Sequence, residues 1–163
     1  NSKTVACAFF GRGICFLQQE NRASATEEFL KAINAAIFTP ALLHKGAEIS
    51  FRFLWQADAQ SDAKRVLRRF LITLDKLPEG EARNVTLQFL SGLAAWEMKT
   101  CWLEAWRALI ESEQVEVKEA LQFLEPVAKV LAGEDRVLLD ALPPEQREFS
   151  NQVLARFEAK PTG

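Results

Sequence analysis

Apolar side chains return every three to four residues along most of this chain, the spacing of helices that turn one face inward. From Thr4 to Gln19 the apolar positions are Val5, Phe9, Phe10, Ile14, Phe16 and Leu17, which predicts a first helix. Gly11 and Gly13 weaken it by about 1 kcal/mol each relative to Ala. Packed helix pairs carry that cost where a neighbouring backbone comes close. Ser24, with Glu27 three residues on, has the form of a capping box and predicts the start of a second helix. Its stripe is Phe29, Leu30, Ile33, Ala36 and Ile37, with Glu27, Glu28 and Lys31 opposite. Thr39 then reads as an N-cap and Pro40 as a first-turn residue.

The third predicted helix runs from Pro40 to Ala57, with Leu43, Ala47, Phe51 and Leu54 on one face and Trp55 beside them. The fourth starts at Ser61 or Asp62 and runs to about Lys76, with Val66, Leu67, Phe70, Leu71 and Leu74 inward. The turn Leu77-Pro78-Glu79-Gly80 closes it. Helical spacing then continues from Glu81 to about Glu111, with Gly92 as the expected break or bend. Between Cys101 and Ile110 only Glu104 and Arg107 are charged, so this helix is either central in the fold or covers a partner. Ser112 is placed to cap a helix from Glu113 to Ala132. Pro126 inside it costs about 3 kcal/mol, which predicts a kink or break near Glu125. Gly133 fits a C-terminal cap, Arg136 to Ala141 a short turn of helix, and Pro144 the start of a last helix reaching about Ala159. In that helix Phe149, Val153, Leu154 and Phe157 face inward, and Lys160 to Gly163 reads as a frayed end. No segment alternates in the manner of a strand.

Composition agrees with a helical globule. The 163 residues contain only 7 Gly and 6 Pro, so turns are few and elements long. The length and the ordinary apolar content suit one domain, here a helical-repeat domain over residues 1–163. Because the chain opens Asn1-Ser2-Lys3, it is expected to be a piece of a larger protein. The net charge of −2 draws no particular partner. No apolar run approaches the about 17 residues of a membrane-spanning helix, so no membrane contact is expected. The odd cysteine count, without a CxxC pair, predicts buried free thiols at Cys7, Cys15 and Cys101 and a cytoplasmic setting. Asn84-Val85-Thr86, although it fits a glycosylation pattern, is then coincidental.

The helices also repeat. Ser24 to Leu30 leading to Pro40, and Ser61 to Leu67 leading to Pro78, share a cap, an apolar stripe and a closing proline, offset by about 37 to 38 residues. Each is preceded by another helix, so the unit is a helix hairpin. A third pair, from Glu81 to about Ala132, is longer and less regular. Here the chain resembles the tetratricopeptide family. Phe10-Gly11-x-x-Ile14 is similar to that repeat's first-helix signature, and Ala25-x-x-x-Phe29-x-x-Ala32 to its second. The gap from Gly11 to Ala25 is longer than the family's, and Pro40 comes late. The resemblance implies a right-handed stack of hairpins whose concave surface binds peptides or partner proteins, with no chemistry of its own.

Candidate chemistry is sparse. His44 is the only histidine, too few for a histidine-rich metal site. Cysteines on apolar stripes do not offer the electropositive, accessible setting of a reactive thiolate, so no Cys–His nucleophile is expected. Carboxylate pairs such as Glu27-Glu28 and Glu134-Asp135 fall at helix starts, where the dipole favours them. No phosphate-cradling glycine loop is present, and no cofactor is expected. Lys64, Arg65, Arg68 and Arg69 crowd one side of the fourth helix, with Arg52 placed to join them from the third. They form either a solvated face or an anion-facing patch for nucleic acid or an acidic partner. Trp102 and Trp106, four apart, are either core packing or an exposed aromatic anchor for a partner helix.

The expected architecture is therefore all-α, a stack of about seven or eight helices in antiparallel hairpins closed by the last helix. The expected function is protein–protein interaction, as a scaffold or regulatory module without catalytic activity. The alternative is a regulatory domain that meets nucleic acid or another anionic partner through the basic helix face.

Overall fold

The computed structural model describes residues 1–78, 80–96, 98–111 and 115–158. Among them every regular element is helical. The chain divides into two compact units, Asn1–Phe89 and Leu90 onward, and the division falls inside one helix.

The first unit is built from α1 (Ser2–Gln18), α2 (Arg22–Ala35), a 3-10 turn (Ala36–Phe38), α3 (Pro40–Gln56), α4 (Gln60–Leu74) and the first part of α5 (Glu81–Ala94). α1 pairs with α2 and α3 with α4, while α2 lies against both α3 and α4 and α1 also touches α3. The result is one helix hairpin stacked on another.

The period is 38 residues. α1 begins at Ser2 and α3 at Pro40; they end at Gln18 and Gln56; α2 and α4 begin at Arg22 and Gln60. The connections match as well. Glu20 and Asp58, also 38 apart, are the two non-glycine residues with positive φ among those described, at 61° and 62°. Each hairpin closes on a backbone bond from five residues back, Asn21 N–H to the Phe16 carbonyl (2.8 Å) and Ala59 N–H to the Leu54 carbonyl (2.9 Å). A left-handed residue followed by such a bond is a Schellman-type helix end. It reverses the chain in three residues and forces the paired helices antiparallel. The register shifts the sequence alignment by one residue, because Ser24 corresponds to Asp62 rather than Ser61.

Several boundaries differ from expectation for local reasons. α2 starts ahead of Ser24 because Asn21 supplies the cap, its side chain accepting the Ser24 N–H at 3.2 Å. α4 starts at Gln60 because the turn at Asp58 ends there, and it has no side-chain cap. Gly92 does not break α5, which continues to Ala94. Gly13 and Gly46 make room for rings rather than for backbone. A Cβ at Gly13 would run into the Phe29 ring, and one at Gly46 into the Phe10 ring. Phe51, Phe70 and Phe89 then join α3, α4 and α5, with ring centroids 6.4 Å (Phe51–Phe89) and 4.8 Å (Phe70–Phe89) apart.

The second unit continues from α5 through α6 (Lys99–Ile110), α7 (Val115–Gln122), α8 (Glu125–Leu131), a 3-10 segment (Arg136–Ala141) and α9 (Pro144–Glu158). The break before Pro126 separates α7 from α8, as its missing N–H requires. Gly133 ends α8 at φ 106°. α6 packs on α7 and α8, and α8 on the 3-10 segment and α9. Arg136 fastens that segment to the end of α9 through Glu158 at 2.7 Å and Asn151 at 3.1 Å. The expected cap at Ser112, the helix start at Glu113, Glu79 of the Pro78 turn and the tail from Ala159 on lie outside the described residues.

Candidate interaction site

The basic cluster of α4 is only partly available. Lys64 and Arg68 are exposed and Arg65 and Arg69 half-buried. Arg65 is already paired: Nη2 donates to Glu27 Oε1 at 3.0 Å and Nη1 to Asp62 Oδ1 at 3.4 Å. The hydrogen bond that Arg65 donates to Glu27 raises the guanidinium pKa, desolvation opposes the rise, and the bond to Asp62 and the charges of both carboxylates add to it. Glu27 and Arg65 stand at equivalent places in the two hairpins, so this ion pair ties one repeat to the next. Among the described residues, Lys64, Arg68 and Arg69 have no ion pair.

Arg52 does not join them at the surface. It is 6% exposed, and its guanidinium carbon lies 4.6 Å from the Phe53 ring centre. Its long side chain is covered by the packing around α3, which corrects its placement in a solvent-facing patch. The tryptophans are corrected likewise. Trp102 is fully buried, its indole N–H donating to the Leu90 carbonyl at 3.0 Å and its ring meeting Phe157 edge-on at 6.4 Å. Trp106 is 9% exposed and donates to the Leu121 carbonyl at 3.2 Å. With both the ring and its one polar group satisfied inside the fold, neither is an exposed anchor.

His44 is half-buried on α3, and burial lowers its pKa, with Glu48 opposing and Lys45 adding to the effect. The buried carboxylates carry cations: Lys45 lies 3.2 Å from Glu48, and Arg12 and Lys31 lie 3.5 and 3.6 Å from Glu28. Among the described residues no group of three or more His, Cys, Asp or Glu side chains could hold a metal ion. No helix among them is long and apolar enough to cross a membrane.

The surface that sequence reasoning missed is the outer side of α1. Its buried residues are Ala6, Phe10 and Gly13. Val5 is 44% exposed, while Phe9, Ile14, Phe16 and Leu17 are only half-covered. Cys101 is buried as expected, but Cys7 and Cys15 are exposed, because Phe10 and Gly13 rather than the cysteines face α2 and α3. A shallow groove of about 440 Å³ runs along this side, lined by Ala8, Gly11, Arg12, Cys15, Phe16 and Gln19. A Cβ on Gly11 would meet nothing within 4 Å. The one signal in the sequence is that α1 contains no carboxylate and is apolar on most of its circumference, the mark of a helix that is covered on more than one side.

Repeat register defines what kind of surface this is. Val5, Ala8, Phe9, Arg12, Ile14 and Phe16 stand where α3 has Leu43, Gly46, Ala47, Ser50, Arg52 and Leu54, all of them buried. Gly46 receives the Phe10 ring of the hairpin before it. Ala8, its equivalent, lines the open groove. The outer side of α1 thus corresponds to the side that α3 turns to the hairpin before it, and among the described residues no hairpin is stacked there. No protein-family model matches the chain, and no curated protein or solved structure matches it either.

Proposed function

We propose that this chain is a protein-interaction module, a tetratricopeptide-like stack of helix hairpins without chemistry of its own, working in the cytoplasm. The observation that carries this reading is the open stacking face of α1. Hairpin stacks owe their stability to contacts between neighbours, and an end exposed to water is normally finished with polar residues. Among the described residues the outer side of α1 presents Val5, Ala8, Gly11, Cys15 and Phe16 instead. An apolar helix face of this kind suits another helix. The 38-residue period supports a stack of helix pairs, longer per unit than the tetratricopeptide repeat, and three free thiols suit a reducing compartment.

Capture of partners by the full chain from host lysate, with and without nuclease, tests the proposal. A discrete protein that survives nuclease and is lost with Ala8→Glu is the expected result. Retention that is indifferent to Ala8→Glu overturns the assignment of the face. The exposed, unpaired Lys64 and Arg68 support a second reading, an anionic partner on α4. It predicts binding that falls steeply with salt and is lost with Arg68→Glu.

A further inference from the structure

Resting on the second of those readings, the anionic partner on α4, we infer that the outer face of α4 receives an amphipathic helix of a partner protein. That helix sets two carboxylates against Lys64 and Arg68, a bulky apolar side chain against Leu71 and Ile72, and a cation against Asp75.

The face has the spacing of a seam between helices. Ser61, Lys64, Arg68, Leu71 and Asp75 follow one another at steps of three and four, which keep side chains on one line toward a second helix. Asp75 closes α4 with backbone that is still helical, at φ −60° and ψ −23°. Leu71 is half-covered and the other four are exposed. The line is about 21 Å long. Ile72, 49% exposed, stands two turns past Arg65 and flanks the seam on the side of α2. The pairing of Glu27 with Arg65, its equivalent one repeat on, sets α2 and α4 side by side in register. Phe38, 82% exposed, holds in the first hairpin the place of Lys76 in the second, and so borders the apolar end of the seam.

The charges on this face are unrelieved. α2, α3, α6 and α8 each seat a cation against a carboxylate of the same helix, as in Lys31–Glu28, Lys45–Glu48, Arg107–Glu104 and Lys129–Glu125. In α4, Lys64 and Arg68 are like charges four apart, as are Arg65 and Arg69, and such pairs repel. Among the described residues only Arg65 of these four has an ion pair. The order of the charges selects the partner. A nucleic acid or an anionic membrane is negative along its whole length, so Asp75 repels it. A helix that runs acidic, apolar, basic is complementary at every step of the seam.

Selection of displayed helix-forming peptides of about 15 residues on the full chain tests this, with single-stranded RNA and phosphatidylserine vesicles as rival probes. The enriched peptides are expected to share two carboxylates three or four residues apart and an apolar residue one turn further. Arg68→Glu and Ile72→Asp should each weaken their binding by about tenfold and leave the urea midpoint of the chain unchanged, since both side chains are exposed. A peptide carrying Lys in place of the carboxylate opposite Arg68 should recover binding to the Arg68→Glu variant. Asp75→Lys should weaken the peptides, whereas it would strengthen a polyanion. Enriched peptides without the carboxylates, or binding indifferent to Arg68→Glu and Ile72→Asp, would overturn the inference. RNA or vesicles held through Lys64 and Arg68, with no peptide retained, would end it and leave the anionic partner on α4 standing. A face to which none of the three probes binds would end both.

Discussion

α1 and α3 hold the same place in successive hairpins, yet α3 buries eight of its residues and α1 only three. Length does not explain this, since both helices have 17 residues. Composition does not either, for α1 is as rich in apolar residues and poorer in charge. The difference is neighbours. α3 has α1 and α2 on one side and α4, with the Phe89 ring of α5, on the other. α1 has α2 and α3 on one side only. In a repeat protein a helix face becomes core or surface according to what is stacked on it, so an apolar pattern identifies a packing face without telling whether it is occupied.

Equivalent substitutions in the two helices put the sharpest strain on that comparison. Leu43 is fully buried and its counterpart Val5 is 44% exposed. Leu43→Ala removes apolar volume from a closed core and is expected to cost about 2–5 kcal/mol. Val5→Ala is expected to stay within about 0.5 kcal/mol. Urea unfolding of the full chain at low protein concentration reads both. Similar costs for the two would mean that the outer side of α1 is covered in solution.

The glycines give a smaller effect with opposite signs. A methyl at Gly46 collides with the Phe10 ring, and one at Gly11 meets open space. Gly46→Ala is therefore expected to destabilise by about 1–3 kcal/mol through overpacking. Gly11→Ala is expected to stabilise by about 0.5–1 kcal/mol, the gain of alanine over glycine inside a helix. Denaturation midpoints compared at equal m-value decide it. A stabilising Gly46→Ala would mean that Phe10 turns aside freely, and the tight seat between the hairpins would not exist.

The helices themselves were legible because burial on one face imposes a 3.6-residue period that short segments display locally. Thr39-Pro40, Pro126 and Gly133 carried their own punctuation, since a missing N–H or a positive φ is a property of one residue. What stayed hidden depends on residues far apart in the chain. Whether Val5 or Phe10 faces inward is settled by Gly46, 36 positions beyond Phe10. Arg52 resembled surface charge because nothing local reveals that the packing around α3 leaves it only 6% exposed. Trp102 and Trp106 were ambiguous until the carbonyls of Leu90 and Leu121 supplied partners for their N–H groups. The basic column on α4 was legible as a cluster. The pairing of Arg65 with Glu27 was not, because it needs the stacking of one hairpin on the next.

His44 supplies the mildest contrast, since its counterpart in α1 is Ala6. Burial pulls the imidazole pKa below its ordinary 6.5, while Glu48 pulls the other way and Lys45 reinforces burial. The folded chain then binds the proton more weakly than the unfolded chain, so acid favours unfolding. Stability should be level above the unfolded pKa of 6.5 and should decline as pH falls below it toward the lower folded value. His44→Ala, which copies the α1 residue into α3, should flatten that part of the profile, while Glu48→Gln should steepen it by removing the attraction that opposes burial. Urea midpoints measured from about pH 7.5 to 5.5 report the slope. A parent chain that gains stability over this range would mean that Glu48, not burial, governs the ring. The contrast between the two helices is in any case reversed at this one position, where α1 buries Ala6 completely and α3 leaves His44 half-buried, so the ring lies open to a neighbouring charge.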